Sequence, residues 1–250
     1  MKKFLLSSSI VCLAVTVFAQ QGNFRSRVSG NWDASATWER DANSDGIFEE
    51  SPSTVSPTHL DGTILVRNGH TVRVYTNISI DQTTVEGTGR IAVDQTNVLT
   101  LLNGSGSDLV NFGRVSTVVS GNLVVSNGAI FEHAKNGGEL PLATWQTGSF
   151  LLFSGVLTAA PSNLGQNFQN IDWNCAQTGN VNLAGALTQI GGDLRVLSTN
   201  GLLLNLATTS ISNISIGGNL IVQGNSRLSF TTSGSTTCSI GGNFTHTSNN

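Results

Sequence analysis

Ile190-Gly-Gly-Asp-Leu194, Ile216-Gly-Gly-Asn-Leu220 and Ile240-Gly-Gly-Asn-Phe244 are three near-identical phrases in the C-terminal part of this chain. The three phrases follow one another at an almost constant period, and a fourth version, Val119-Ser-Gly-Asn-Leu123, begins close to three such periods before the first. A repeat of this length is typical of stacked units that are each too thin to bury their own apolar face. The phrases therefore predict a repeat fold.

Apolar residues fall into columns when the four phrases are superposed. Alternate positions are apolar, which is typical of a strand with one buried face. Gly, Asn, Ser and Thr separate these strands, as they do at turns. We expect two inward columns, formed by the last residue of each phrase and by the residue two positions later: Leu123, Leu194, Leu220, Phe244, and Val125, Val196, Val222, His246.

These features predict an all-β fold, a parallel β-helix with about 24 residues per coil and an N-terminal β cap. No segment after the N-terminus has an apolar pattern of helical period, and each coil would add about 4.8 Å of height. We expect one β-helix from Val115 to Phe244. The Gly-Gly-Asn corner is explained by glycines at positive φ and by stacked Asn side chains. We interpret Asn122, Asp193, Asn219 and Asn243 as turn residues rather than ligands.

Three segments follow from this interpretation. Residues 1–19 combine two lysines, a short apolar run and a small residue at Ala19, which predicts a secretory signal peptide. Residues 20–75 are expected to hold the cap and the first strands, and residues 76–250 the β-helix repeats. The fourth phrase begins at Ile240 and the sequence stops at Asn250, so we expect truncation in mid-coil and further coils or modules downstream.

Composition excludes some functions for the exported chain. The net charge is −3 and only 11% of residues are charged, so the sequence offers no basic surface for nucleic acid or for an anionic membrane. No membrane span is expected after removal of the signal.

The only cysteines after removal of the signal are Cys175 and Cys238, and Cys238 falls in the column of Thr188 and Ile214. We therefore expect a packed Cys238 thiol and no disulfide between the two cysteines.

The segment from Ser29 to Val74 carries the most specific signal. It contains Gly30-Asn-Trp32, Thr37-Trp38 and Asn68-Gly-His-Thr-Val72. It resembles the opening segment of secreted, repeat-rich surface proteins of the Bacteroidota, and Phe168–Phe244 resembles their repeats. The resemblance implies an adhesin-like β-helix that precedes adhesive or enzymatic modules and a C-terminal sorting domain for type IX secretion. This chain has no such sorting domain, which leaves the secretion route open.

Trp32 and Trp38 are interpreted as apolar plugs that close the first coil, with carbohydrate stacking as the alternative.

Asp41-Ala-Asn43-Ser-Asp45-Gly46 has oxygen ligands at alternate positions and glycine at the sixth, like the first half of a calcium loop. The twelfth position is Pro52, where a bidentate Glu is expected. The candidate metal ligands are therefore Asp41, Asn43 and Asp45, with Glu49 or Glu50 completing a looser site. The alternative is an acidic hairpin loop without a metal. Calcium is the only cofactor suggested.

No catalytic constellation emerges. From Val115 onward the charged residues are Glu132, Lys135, Glu139, Asp172, Asp193, Arg195 and Arg227, and we expect them not to share a column. His133 and His246 fall in apolar columns, and His59 and His70 have no partners at ligand spacing. The sequence therefore predicts a non-enzymatic, exported cell-surface β-solenoid, a stalk or scaffold that binds extracellular glycans or proteins weakly. The alternatives are the non-catalytic front part of a polysaccharide lyase or hydrolase and a carbohydrate-binding module using Trp145, Trp173 or the N-terminal tryptophans.

Overall fold

The structure is a computed structural model that describes residues 22–208 and 213–249. The predicted signal peptide, residues 1–19, lies outside the described residues. The described chain is all-β, with parallel sheets stacked as a β-solenoid of roughly 24 residues per turn. Its only helical segments are the short 3₁₀ turns Ser35–Thr37 and Ser120–Asn122. The predicted fold class is confirmed.

One sheet, here called the long sheet, runs the full length of the described chain. Strands are numbered in chain order throughout. The long sheet consists of β1 (Asn23–Ser26), β3 (Trp38–Asp41), β4 (Ile64–Val66), β7 (Thr83–Val85), β10 (Leu109–Asn111), β13 (Ile130–His133), β15 (Phe150–Phe153), β16 (Asn170–Asn174), β19 (Leu194–Ser198), β22 (Leu220–Gly224) and β25 (Phe244–Ser248). All neighbours are parallel except β3, which pairs antiparallel with β1.

Shorter sheets form the other faces of the solenoid. In the first half, a second face contains β2 (Gly30–Asn31), β5 (Thr71–Val74), β8 (Arg90–Val93) and β11 (Arg114–Ser116). A third face contains β6 (Ile78–Ile80), β9 (Leu99–Leu101), β12 (Leu123–Val125) and β14 (Thr144–Trp145). In the second half the corresponding short sheets contain β17 (Val181–Asn182), β20 (Leu203–Asn205) and β23 (Arg227–Ser229), and β18 (Gln189–Ile190), β21 (Ile214–Ile216) and β24 (Cys238–Ile240).

Two inward columns of the long sheet form the core. Alternate residues point inward because side chains in a strand alternate between its faces. The first column contains Ile64, Thr83, Leu109, Phe131, Leu151, Ile171, Leu194, Leu220 and Phe244. The second contains Val66, Val85, Asn111, His133, Phe153, Trp173, Val196, Val222 and His246. The predicted alignment of the last three phrases is confirmed.

The first phrase, however, was placed on the wrong face. Leu123 pairs with Leu99 in the third face, and Val125 pairs with Leu101 and Trp145. Phe131, not Leu123, lies in the inward column of Leu194, Leu220 and Phe244. The chain completes three turns between Phe131 and Leu194, a shorter stretch than the one that separates the first phrase from the second. The same Gly-Asn chemistry therefore serves two different corners.

The Gly-Gly-Asn corner is built for close stacking. Asn170 Oδ1 accepts a hydrogen bond from the Asp193 N–H at 3.0 Å, Asp193 Oδ1 accepts from Asn219, and Asn219 Oδ1 accepts from the Asn243 N–H at 2.9 Å. This ladder confirms the turn role of these residues. Asn122 is also a turn residue, at the other corner, where its Nδ2 donates to the Asp94, Gln95 and Asn97 carbonyls.

The expected reason for the glycines was wrong. The glycines of the Gly-Gly-Asn phrases are not among the residues at positive φ. A Cβ on Gly217 would lie 2.3 Å from the Gly191 carbonyl oxygen, and one on Gly241 would lie 2.3 Å from that of Gly217. Glycine is required because the backbones of successive coils touch at this corner, leaving no room for a side chain.

Aromatic side chains close the start of the core. Trp32 and Trp38 are fully buried, with ring centroids 4.9 Å apart in an edge-to-face pair. Trp32 Nε1 donates to the Pro57 carbonyl and Trp38 Nε1 donates to the Trp32 carbonyl, each at 2.8 Å. Both indole N–H groups are thus satisfied without water. This burial agrees with the predicted plug.

The two described cysteines are free thiols. Cys238 pairs with Ile214 in register, as predicted, but it is only half-buried because it lies in the last turn described. Cys175 is fully buried, and burial raises the pKa of its thiol to about 12. In that last turn the Phe244 side chain is 57% exposed and pairs only with the preceding turn.

Candidate functional site

The predicted calcium loop follows directly from β3. Asp41 ends that strand and is fully buried, and its carboxylate accepts hydrogen bonds from the backbone N–H groups of Asp45 at 3.1 Å and Gly46 at 2.9 Å. Burial raises the pKa of Asp41, but hydrogen bonds from Gly46, Asn23 and Asp45 outweigh it and hold the pKa below its ordinary value. The loop therefore keeps an ionised carboxylate at its base.

The structure brings together a slightly different set from the predicted one. Oxygen atoms of Asp41, Asp45 and Glu49 lie within 4.8 Å of one another. Asn43 instead braces the turn: its Oδ1 accepts from the Asp45 N–H and its Nδ2 donates to Asp45 Oδ2, each at 3.1 Å. Three carboxylates can bind a hard cation. Calcium binding by this loop remains a prediction, with Glu49 rather than Asn43 as the third side chain.

Three charged residues of the C-terminal half share a column, contrary to expectation, whereas Lys135, Glu139, Asp193 and Arg227 lie outside it. Glu132, Asp172 and Arg195 point outward from the long sheet in one column, with Leu152 between the first two. Arg195 binds Asp172 through two nitrogen atoms, at 2.6 and 2.5 Å. Glu132 accepts from the hydroxyls of Ser107 and Ser154. Both carboxylates are thus fully engaged by neighbours on an open sheet face.

The histidines are dispersed. His133 is fully buried, its Nε2 donates to the Gly137 carbonyl at 2.8 Å, and its Nδ1 has no partner among the described residues. Burial lowers its pKa to about 4. His70 Nδ1 lies 2.8 Å from Ser26 Oγ, next to the first turns. His246 ends the same column as His133 but is exposed. The predicted packing role is confirmed for His133, whereas His246 is exposed and does not pack.

All four tryptophans are buried. The exposed fractions are 0% for Trp32 and Trp38, 6% for Trp145 and 1% for Trp173. A tryptophan that stacks on a sugar must expose a ring face. In this structure the four tryptophans therefore expose no ring face on which a sugar could stack, as a carbohydrate-binding module would require.

Sequence reasoning missed a buried acidic corner. Asp61, Asp81 and Asp108 lie one to three residues before β4, β7 and β10, where successive turns enter the long sheet. Their exposed fractions are 6%, 8% and 0%. Burial and the neighbouring Asp108 raise the pKa of Asp81, and burial raises that of Asp108. The signal in the sequence was an Asp shortly before each of these three strands, in the part of the chain before Val115.

A groove of about 450 Å³ lies on the third face, between Ser120, Thr144 and the loop Gly165–Asn167. Gln166 forms part of its lining, and the side-chain amide of Gln166 is already hydrogen-bonded within the protein. Its Oε1 accepts from the Ala143 N–H, and its Nε2 donates to the Pro141 and Asn163 carbonyls. The lining contains no charged residue. The groove offers hydrogen-bonding groups but no acid or base.

Comparisons with known proteins add no family. No protein-family model matches the chain, and neither a curated protein nor a solved structure matches it. None of the helical segments in the described residues has the length and apolar character needed to cross a membrane.

Proposed function

We propose that this chain is an exported, non-enzymatic β-solenoid that acts at the cell surface as a stalk or adhesive scaffold. The signal-like residues 1–19 support export. The solenoid fold is compatible with a structural role. In the absence of a family match, the proposal depends on the shape and surface chemistry of the described residues.

One observation carries the proposal: a single parallel sheet continues from β1 to β25 across every turn described. Each turn buries its apolar side chains against the next, so the stack is held by contacts along its whole length. Such a stack spaces its two ends at a fixed distance. This property suits a stalk that presents other modules.

The surface suits weak, multiple contacts better than chemistry. The carboxylates of the outward column, Glu132 and Asp172, are engaged by serines and by Arg195. Exposed Ser, Thr and Asn side chains offer many hydrogen bonds to extracellular glycans or to surface proteins. With a net charge of −3, nucleic acid is not an expected partner.

A second candidate function is that the chain is itself a carbohydrate-active enzyme. The shared column of Glu132 and Asp172 is the observation that favours it, because glycoside hydrolysis uses two carboxylates. However, Leu152 lies between them in the column, and Arg195 occupies the Asp172 carboxylate. We therefore favour the scaffold.

The test is to incubate the purified full chain with immobilised pectin, alginate and xylan and to measure both retention and sugar release. The scaffold proposal predicts weak retention on some polymers or none, and no released product. Glu132→Gln is the diagnostic variant, and Glu86→Gln, on a different turn, is its matched control. Sugar release that is lost in Glu132→Gln and kept in the control would replace the scaffold with the enzyme.

A further inference from the structure

In the buried acidic corner, one oxygen of the Asp81 carboxylate has no hydrogen-bond partner among the described residues. Asp81 is more than nine-tenths buried, and the oxygen in question is its Oδ1. Placing an ionised carboxylate in the interior is costly unless it is paired with donors or with a cation. A ligand or a proton is therefore needed at Asp81.

The other oxygen of Asp81, Oδ2, lies near a second carboxylate that comes from the next turn. A Cβ built on Gly104 would lie 2.7 Å from Asp81 Oδ2 and 3.2 Å from Asp108 Oδ1, so both oxygens border the same small space. Asp108 is held rigidly, because the N–H groups of Gly104 and Ile130 donate to its two oxygens at 2.5 and 2.7 Å. These two donors offset part of the cost of ionising Asp108 in the interior.

The wider surroundings are also acidic. Asp61 lies at the same corner one turn earlier and accepts hydrogen bonds from Thr58, and His59 is the nearby basic side chain. The adjoining loop, residues 103–107, is rich in glycine and serine and mostly exposed. It leaves a cation accessible to water and to backbone carbonyls.

We propose that Asp81 and Asp108 form a site for a hard divalent cation such as Ca²⁺, held between two successive turns beside Gly104. Such ions take carboxylate, backbone carbonyl and water oxygens in flexible arrangements. The ion would neutralise the buried charge and tie the corner of one turn to the next. This site is separate from the loop at Asp41 and Asp45, which lies at the start of the solenoid.

The experiment is calcium titration of the full chain by calorimetry, together with thermal unfolding at pH 7.5 in calcium and in chelator. We expect calcium to raise Tm in the wild type, and we expect Asp81→Asn and Asp108→Asn to lose the part of this shift that comes from the site beside Gly104. Asp45→Asn should retain the part of the shift that depends on Asp81, which separates the two sites.

Gly104→Ala gives a test that keeps both carboxylates. Its methyl group would lie between the two oxygens, so the part of the calcium shift that depends on Asp81 should be lost. Gly121→Ala is the matched control, because a Cβ there meets nothing within 4 Å.

Three results would overturn the proposal. The first is a wild-type Tm that does not respond to calcium. The second is a response that survives Asp81→Asn but disappears in Asp45→Asn. The third is a calcium-independent rise in Tm between pH 7 and pH 5 that needs Asp81, which would show that the two acids share a proton instead.

Discussion

Acid should weaken this fold through His133, which is buried in the second column of the long sheet. Its folded-state pKa is about 4, against 6.5 for the free side chain, because burial disfavours the charged ring. The stabilising contribution of the neutral ring is therefore complete above pH 6.5. It is lost as the pH falls toward 4, because the unfolded chain then binds the proton more tightly.

The expected size follows from these two values. One pKa unit corresponds to about 1.4 kcal/mol, so the linkage gives about 2 kcal/mol of lost unfolding free energy at pH 5 and about 3 kcal/mol at pH 4. The assay is urea unfolding of the full chain at pH 7.5 and pH 5. His133→Phe, which keeps an aromatic ring in the column, should lose about 2 kcal/mol less than the wild type over this interval.

His246→Phe is the control, because this side chain lies in the same column but is exposed in the last turn. We expect it to retain the acid response of the wild type. Equal losses in the wild type and in His133→Phe would refute the reasoning, since they would show that His133 does not carry the acid sensitivity.

Three further predictions concern the corner, the thiols and the N-terminal loop. Gly217→Ala should destabilise the fold by about 2 kcal/mol in urea unfolding, because the new Cβ overlaps the preceding turn, whereas Gly121→Ala should change little; equal stabilities would contradict the close-stacking argument. In the native chain Cys175 should resist thiol reagents and Cys238 should react slowly, with no disulfide by mass analysis; a Cys175–Cys238 link would contradict the register. Calcium bound at the N-terminal loop should be lost in Asp45→Asn, and calorimetry that shows no difference between this variant and the wild type would leave the loop a purely structural turn.

The repeat phrases predicted the fold because the same apolar positions recur where each turn enters the long sheet. Leu194, Leu220 and Phe244 are correctly aligned, since their turns have nearly equal lengths. Leu123 was misplaced because the intervening turns are shorter than the phrase spacing implied. The Gly-Asn motif shows that the chain turns a corner, but it does not show which corner of the coil it forms.

Side-chain convergence was harder to predict than the fold. Asp172 and Arg195 lie on consecutive strands of the long sheet and are far apart along the chain, so only the correct register puts them side by side. Asp81 and Asp108 meet near Gly104 because they precede neighbouring strands of the long sheet, β7 and β10, so this proximity also depends on the register. By contrast, Asp41 and Asp45 belong to one loop, so their proximity was predictable from the sequence.

The central claim is that the chain forms one rigid, regular stack. It is tested most directly by a distance measurement between spin labels at Thr84→Cys and Ile221→Cys, on outward positions of β7 and β22, in a chain with Cys175→Ala and Cys238→Ala. Six strand spacings of about 4.8 Å separate these positions, so the account predicts one narrow distribution centred at about 29 Å, broadened only by the label linkers. A broad distribution, or a distance far from this value, would contradict it.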